Sequence, residues 1–334
     1  MIRRRGAARG ALSTPEDSSA STVGRWLVAQ GLRARKVRPL VGDVSSRSYF
    51  RVELEGETES WIVARYPLEL AAAQRRFAVA DTLLAGAGVR VPALRLDDPE
   101  QRFALLEDLG PATLYEAVSD WRQAPRQLTA ALRAADAIAQ LDRATVQALG
   151  SPALDADLLR RELEQTRELL PAPVGVDAPR FAEALDALCT RLGSALVPCH
   201  RDFMARNLVP LGSAGEVGVL DFQDLRRGPI GYDVASLLND SLFADADTEA
   251  RALAAAGELA GDAMQYRAAV VQRSLKAVGT YLAFARRGKL RHLPLVAPTL
   301  ERALRFFPDL PETAGLGVAV VEALRRAGAS AVVC

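Results

Sequence analysis

Apolar and polar positions alternate with a period of two across "KVRPLVGDVSSRSYFRVELEG" and "SWIVARYP", which places Phe50, Val52 and Leu54 on one face. The β-branched and aromatic content fits a pleated, half-buried surface, and "EGETES" between the two runs reads as a hairpin connection. An antiparallel sheet is therefore predicted from about residue 36 to 67. Upstream, "TVGRWLVAQGL" has helical spacing at Val23, Trp26, Leu27 and Leu32, with Ser21 or Thr22 as the expected N-cap. A helix over roughly 69 to 87 follows, then two strands in "ALRLDD" and "FALLEDL". Beyond Leu109 the period becomes 3.6, in "LTAALRAADAIAQLDRA", "DADLLRRELEQTRELL", "RFAEALDALCTRLGSAL" and "RAAVVQRSLKAVGTYLAFARRG". Strands recur only around "NLVPL" (207–211) and "VGVLDF" (217–222), which flank "GSAGE" and predict a second hairpin. The pattern predicts an α+β chain in two lobes: a small β-rich N-lobe over 21–108 and a larger helical C-lobe over 109–330. They join near "LLEDLG" (105–110), with a cleft between them. Residues 1–20, basic and then small and polar, are predicted to be a disordered tail outside the fold.

Composition narrows the functions open to such a chain. With 334 residues and 49% hydrophobic content it can build its core without disulfide or metal staples. Lys and Arg number 42 against 41 for Asp and Glu, a net charge of +1, so no global field draws the chain to nucleic acid or a membrane surface. Cys189, Cys199 and Cys334 lack the spacing of a zinc site or a secreted disulfide framework, and no apolar run reaches the ~18 residues of a membrane span. The expected setting is the cytoplasm, with neither nucleic acid nor membrane as partner.

One local constellation carries chemistry. The second hairpin brings Asn207, at the start of its first strand, toward Asp221, at the end of its second, and Asp202 stands in the loop that feeds it. A carboxylate and a carboxamide at a hairpin mouth offer hard oxygen ligands for magnesium, which keeps some waters and is shared with substrate phosphates. Asp202 can then accept a proton. The order His200, Arg201, Asp202, four residues, Asn207, then Asp221 in "DFQD" resembles the catalytic loop and metal-binding aspartate of protein kinases.

From these residues the chain resembles the aminoglycoside-phosphotransferase and choline-kinase branch of the kinase-like fold, since "LDFQDLRRGPIGYDVASLLND" replaces a long activation segment with a short turn into a helix. In that branch the aspartate matching Asp233 braces the catalytic loop. Here Asp233 stands where a helix begins and can cap it, and Arg201 is left with a local ion-pairing role, so His200, Arg201 and Asp233 are structural support. "DVSSRSYFRV", "LLEDLG", "HRDFMARNLV", "VLDFQD", "GPIGYDVASLLND" and "QRSLKAVGTYLAFARRGK" are similar to the anomeric N-acetylmuramate/N-acetylglucosamine kinases of bacterial cell-wall recycling, over about residues 40 to 293. The resemblance implies ATP- and Mg2+-dependent phosphorylation of the sugar's C1 hydroxyl, with an amino sugar and ATP as partners. Two alternatives stay open. One is a kinase of the same fold acting on an aminoglycoside, a choline-like amine or another alcohol; the other is a nucleotide-binding pseudokinase.

The pseudokinase alternative comes from departures. "VGDVSSRSYF" has only Gly42 where kinases have several glycines, so Ser45, Ser46 and Ser48, with the charge of Arg47, are the expected phosphate ligands. "WIVARYP" carries Arg65 where the phosphate-binding lysine is expected, and the two side chains differ in geometry. The backbone from Glu107 to Leu109 is the expected adenine contact, with the Glu107 and Asp108 carboxylates solvated. The candidates for sugar binding are Asp224, Asn239, Asp240, Arg273 and Lys276, with Arg273 or Lys276 for a lactyl carboxylate. Phe203 and Met204 are expected to pack the catalytic loop, Cys199 to be a small buried hydrophobe and His292 a loop residue. Arg206 is left open between reaching phosphate and pairing with a carboxylate.

Overall fold

The alternation in "SYFRVEL" becomes strand β2 of an antiparallel sheet in a computed structural model that describes residues 15–40, 47–170, 178–316 and 321–326. The expected phosphate ligands Ser45 and Ser46, together with Gly42, lie outside the described residues. Contacts divide the chain into two units: residues up to Arg75 with Pro92–Asp108, and Arg76–Val91 with the chain from Leu109 onward.

The first unit contains α1 (Pro15–Ala29), β1 (Ala34–Leu40), β2 (Ser48–Leu54), β3 (Ser60–Arg65), the first turn of α2 (Ala71–Gly86), β4 (Leu94–Asp98) and β5 (Phe103–Glu107). Its five strands lie in the order β1-β2-β3-β5-β4, all antiparallel, with Phe50 opposite Val63 and Val63 opposite Leu105. That register puts Phe50, Val52, Leu54, Val63, Phe103 and Leu105 on one face, where Val23, Trp26 and Leu27 of α1 bury them. Trp26 stacks on Phe103 at 4.9 Å and donates its indole N–H to Asp98 at 2.9 Å, so its polar atom is satisfied as its ring is buried. The helix begins at Pro15, not at an N-cap at Ser21 or Thr22. Nothing in residues 16–22 breaks a helix, and proline is tolerated in a first turn. Thr22 stands mid-helix and accepts a hydrogen bond from Arg25, and residues 15–20 form the first turns of α1.

The second unit begins inside α2. Residues 76–91 were expected in the N-lobe, yet Phe77 stacks on Phe222 at 4.6 Å and the Val219 N–H donates to the Arg90 carbonyl at 2.7 Å, which ties this stretch to the helical unit. After Leu109 come α3 (Leu114–Ala117), α4 (Pro125–Ala139), α5 (Arg143–Ala148), α6 (Ala156–Glu162), α7 (Glu164–Leu169) and α8 (Ala178–Leu192). The strands β6 (Leu196–Cys199), β7 (Leu208–Leu211), β8 (Glu216–Val219) and β9 (Arg226–Pro229) follow, paired β6 with β9 and β7 with β8. The chain closes with α9 (Tyr232–Asn239), α10 (Ala246–Ala256), α11 (Ala263–Arg286), α12 (Val296–Leu304) and α13 (Pro311–Ala314). Helix α4 shows how the pattern works: Leu128, Ala131, Leu132, Ala135 and Ile138 form one buried stripe. His292, expected in a loop, lies in a 3-10 turn (Leu290–Leu295) and is buried with its ring parallel to Tyr281 at 5.2 Å.

Helix α11 is the longest at 24 residues and packs against α7, α9 and α12. Where it crosses α7, Thr166 donates its hydroxyl to the Leu275 carbonyl at 2.7 Å, and a Cβ on Gly279 would lie 2.6 Å from the Thr166 amide nitrogen. The crossing needs hydrogen at that position. Gly279→Ala is expected to cost about 1–3 kcal/mol through overpacking, read as a lower urea midpoint at unchanged slope; a wild-type midpoint contradicts this close approach.

Candidate active site

The loop from His200 to Asn207 is held at both ends by backbone geometry. Strand β6 runs into it, with Cys199 paired to Arg226 of β9. Asp233, the second residue of α9, accepts hydrogen bonds from the His200 N–H at 2.7 Å and the Arg201 N–H at 2.9 Å. The expectation that Asp233 caps its helix is corrected: Gly231 is the N-cap, with φ of 80°, and a Cβ there would meet the Ala260 carbonyl oxygen at 2.4 Å. Burial pushes the Asp233 carboxyl up from its ordinary range, against the pull of His200 and the two amides. His200 is fully buried, and its Nε2 meets the Leu220 carbonyl at 2.8 Å. A carbonyl only accepts, so Nε2 carries the proton. Its ring meets buried Phe203 edge-on at 5.6 Å, which fastens the loop to the core.

The other end of the loop is tied to the β7–β8 hairpin. Leu208 pairs with Val219, and the Leu220 N–H donates to the Asn207 carbonyl at 2.8 Å, so Asn207 lies beside the residue that precedes Asp221. The Asn207 carboxamide donates through Nδ2 to the Asp202 carbonyl at 2.8 Å, which turns its oxygen away from that bond. Asp221 adopts φ of 64° and accepts a hydrogen bond from Gln223 at 3.0 Å. The donor set of a carboxamide and a carboxylate oxygen fits magnesium, whose remaining positions go to waters and phosphates. Of the four non-glycine residues with positive φ among those described, Arg201, Asp221 and Ser241 belong to this region. Such backbone strain gathers where geometry matters more than stability.

Around Asp202 the second unit assembles a cluster of charges from five parts of the chain. Arg273 and Lys276, one turn apart on α11, both face the Asp202 carboxylate, at 3.2 and 3.8 Å. Arg273 also reaches Asp240 at 3.3 Å, and Lys276 reaches Glu162 at 3.3 Å. Arg201 binds Glu162 at 2.6 Å and Asp224 at 3.4 Å, while Arg226 binds Asp224 at 3.2 Å. Burial pushes the Asp202 carboxyl up, but Lys276, Arg201 and Arg273 outweigh it and hold the group well below the usual carboxylate range. The same balance lowers Glu162, where burial is overcome by Lys276 and Arg201. Lys276 is lowered from the ordinary lysine value, because burial outweighs Asp202 and Glu162.

Glu162 was not anticipated. It stands on the buried stripe with Leu159, Leu163 and Thr166, so a carboxylate at an apolar helical position was the available signal. The segment was also read as one helix; it is interrupted at Leu163, and no breaker residue marks that point. Glu162 supplies a pH prediction. A carboxylate with a lowered folded pKa stabilises fully above its unfolded value, and that contribution disappears as pH falls through the folded one. The stability difference between wild type and Glu162→Gln is thus expected to be full at neutral pH and to shrink below about pH 5. Urea midpoints at several pH values measure it; a difference independent of pH contradicts an ionised Glu162.

The remaining candidates separate. Asn239 does not join the cluster: its carboxamide donates to the Tyr266 hydroxyl at 2.9 Å and accepts from Arg305 at 2.7 Å, in a buried network that includes Glu249. Its side chain meets Tyr266 and Arg305, while its neighbour Asp240 meets Arg273. In the first unit, the Arg47 guanidinium lies 5.7 Å from the Tyr49 ring and Ser48 is exposed at the start of β2. Arg65 ends β3 opposite Phe103, with its guanidinium 6.0 Å from that ring. The carboxylates of Glu107 and Asp108 are engaged, not solvated. Glu107 accepts from the Ala93 N–H at 3.0 Å, and Asp108 accepts from Arg51 at 3.0 Å and Ser60 at 2.6 Å. Leu109 belongs to the second unit, where its side chain fills the space over Gly218. Cys199 is buried, and burial pushes its thiol well up.

Residues 36–270 match a family described as the phosphotransferase enzyme family. The chain is 37% identical over 210 residues to an N-acetylmuramate/N-acetylglucosamine kinase of Pseudomonas aeruginosa; the match spans 61% of this chain and 59% of that protein, less than two thirds of its length. A protein of the same description from Pseudomonas putida is 31% identical over 322 residues, which cover 86% of this chain and 88% of that protein. Among solved structures, a thermostable aminoglycoside phosphotransferase in a ternary complex with ADP and hygromycin B is similar with a TM-score of 0.59 at 17% identity, covering 92% of this chain and 99% of that one. The fold is the two-lobed, protein-kinase-like α+β fold.

Proposed function

The chain belongs to the phosphotransferase enzyme family, and we propose that it transfers the γ-phosphoryl group of ATP to the anomeric C1 hydroxyl of N-acetylmuramate or N-acetylglucosamine. As a phosphotransferase it acts on a hydroxyl acceptor. The observation that carries the sugar assignment is the likeness to two amino-sugar kinases, one of them over most of both chains. ATP is the donor assigned by the same likeness and by the ADP of the structural relative.

The chemistry follows from Asp202. Its Oδ atoms orient the acceptor hydroxyl; as the oxygen forms its bond to phosphorus and the bond to ADP breaks, the hydroxyl proton passes to Asp202. A carboxylate held ionised by three cations is a weak base, so its main work is positioning, in keeping with a loose transition state in which little proton transfer has occurred. Asn207 and Asp221 would hold Mg2+, which when bound supplies charge neutralisation across the phosphates. Arg47, Ser48, Arg65 and the backbone from Glu107 to Leu109 are the assigned nucleotide contacts. Asp224 and Asp240 act through Arg201 and Arg273, whereas Arg273 and Lys276 fix the charge of the base. His200, Arg201 and Asp233 keep the loop in shape.

An ADP-release assay with N-acetylmuramate, N-acetylglucosamine, an aminoglycoside and choline tests the reading. Turnover confined to the two amino sugars is expected; faster turnover of choline or the aminoglycoside overturns it.

A further inference from the structure

The charge cluster treats the two oxygens of Asp202 differently. Oδ1 accepts a hydrogen bond from Arg273 Nη1 at 3.2 Å, and the same nitrogen donates to the Arg201 carbonyl at 3.3 Å, so the carboxylate is oriented by a guanidinium that is itself fastened to the loop. Lys276, at 3.8 Å, also faces Oδ1. Oδ2 faces Arg201 Nη1 at 3.8 Å, beyond hydrogen-bond reach, and among the described residues no donor bonds it. The Asp202 side chain keeps 25% of its surface exposed, so this oxygen is not sealed in the core.

Arg201 stays at that distance because Glu162 holds it. Arg201 donates to Glu162 Oε1 through Nη2 at 2.6 Å and through Nε at 3.2 Å, while Nη1 leans toward Asp224 at 3.4 Å. Lys276 is divided in the same sense, 3.3 Å from Glu162 Oε2 and 3.8 Å from Asp202. Both cations therefore lie closer to Glu162, whose side chain is 8% exposed, than to Asp202. A largely buried guanidinium deprived of its carboxylate seeks another, and Asp202 Oδ2 is an oxygen within reach that accepts no bond. A bond from Arg201 to Oδ2 would compete with the acceptor hydroxyl for that oxygen.

We propose that Oδ2 is the oxygen of Asp202 that receives the acceptor hydroxyl, and that Glu162 is the positioning residue that keeps it open by holding Arg201 away. The proposal rests on Asp202 as the base of the phosphoryl transfer described above. In that step the hydroxyl oxygen bonds to the γ-phosphorus of ATP, its proton passes to Oδ2, and the bond to ADP breaks with its electron pair leaving on ADP. Glu162 touches none of the reacting atoms and acts through Arg201.

The test is kcat and KM in wild type, in Glu162→Gln, and in Glu162→Gln combined with Arg201→Gln. Glu162→Gln is expected to lower kcat about 30-fold, less than the removal of a general base, with the KM for ATP near its wild-type value. The added Arg201→Gln removes the competing cation and should raise kcat about fivefold above the single variant. It leaves no carboxylate of the cluster unpaired, since Asp224 keeps Arg226 and Asp202 keeps Arg273, and removing both members of a buried ion pair is tolerated better than removing one. A wild-type kcat in Glu162→Gln overturns the proposal. So does a double variant no faster than the single one, which is the result for a pair that only supports the loop. If Glu162→Gln does not fold, the double variant decides: kcat within about tenfold of wild type is expected, and a greater loss overturns the proposal. Normal turnover by Asp202→Asn would instead remove the base assignment, and this proposal with it.

Discussion

Asp202→Asn should lower kcat by about a thousandfold, within the range for loss of a positioned general base, while nucleotide binding holds or tightens. The asymmetry comes from the charge cluster. Asp202 faces Arg273 and Lys276 and lies 3.8 Å from Arg201, so its carboxylate takes up part of their positive charge. An uncharged carboxamide returns that charge to the site, where phosphate oxygens benefit from it and the reacting hydroxyl loses its acceptor. Isothermal titration with a nonhydrolysable ATP analogue, run beside steady-state kinetics, separates the two effects. Near-normal turnover would remove Asp202 from the reaction. A loss of nucleotide binding that matches the loss of rate would show that the substitution had damaged the loop instead.

Asp221→Ala should cost on the order of a thousandfold in kcat/KM and raise the Mg2+ concentration needed for half-maximal rate, since an ion that neutralises phosphate charge supplies several kcal/mol to the transition state. Two features concentrate the effect here. Asp221 supplies the one carboxylate of the assigned pair and is held at a positive φ by the turn after β8. Asn207, the other assigned ligand, donates its amide N–H to the Asp202 carbonyl and contributes only a neutral oxygen. Nucleotide affinity measured with and without Mg2+ should differ in wild type and become equal in the variant. An unchanged Mg2+ requirement would move the ion elsewhere.

The sequence is most informative where a signal is local. Alternation at Phe50, Val52 and Leu54 specified a sheet with one buried face, and the two runs around "GSAGE" specified the hairpin that sets Asn207 beside Leu220, the residue before Asp221. The order of His200, Arg201, Asp202 and Asn207 pointed to phosphoryl transfer for the same reason, because its parts are neighbours in the chain. What escaped depends on which helix faces which. Glu162 meets Arg201 across 39 residues, and Arg273 meets Asp202 across 71, distances over which periodicity says nothing about partners. Asn239 and Asp240 are adjacent and equally polar, yet one turns to Tyr266 and the other to Arg273. The expected cap at Asp233 failed for a different reason: the tight approach of Gly231 to Ala260 moves the helix start upstream and leaves the carboxylate to the catalytic loop.

The central claim concerns where the phosphate goes, and product NMR tests it directly. After incubation with ATP and Mg2+, the sugar phosphate from N-acetylmuramate or N-acetylglucosamine should show its phosphorus coupled to the anomeric proton alone. Coupling to the two C6 protons would contradict the account, because the same aspartate would then serve a primary hydroxyl and the sugar would enter the site the other way round.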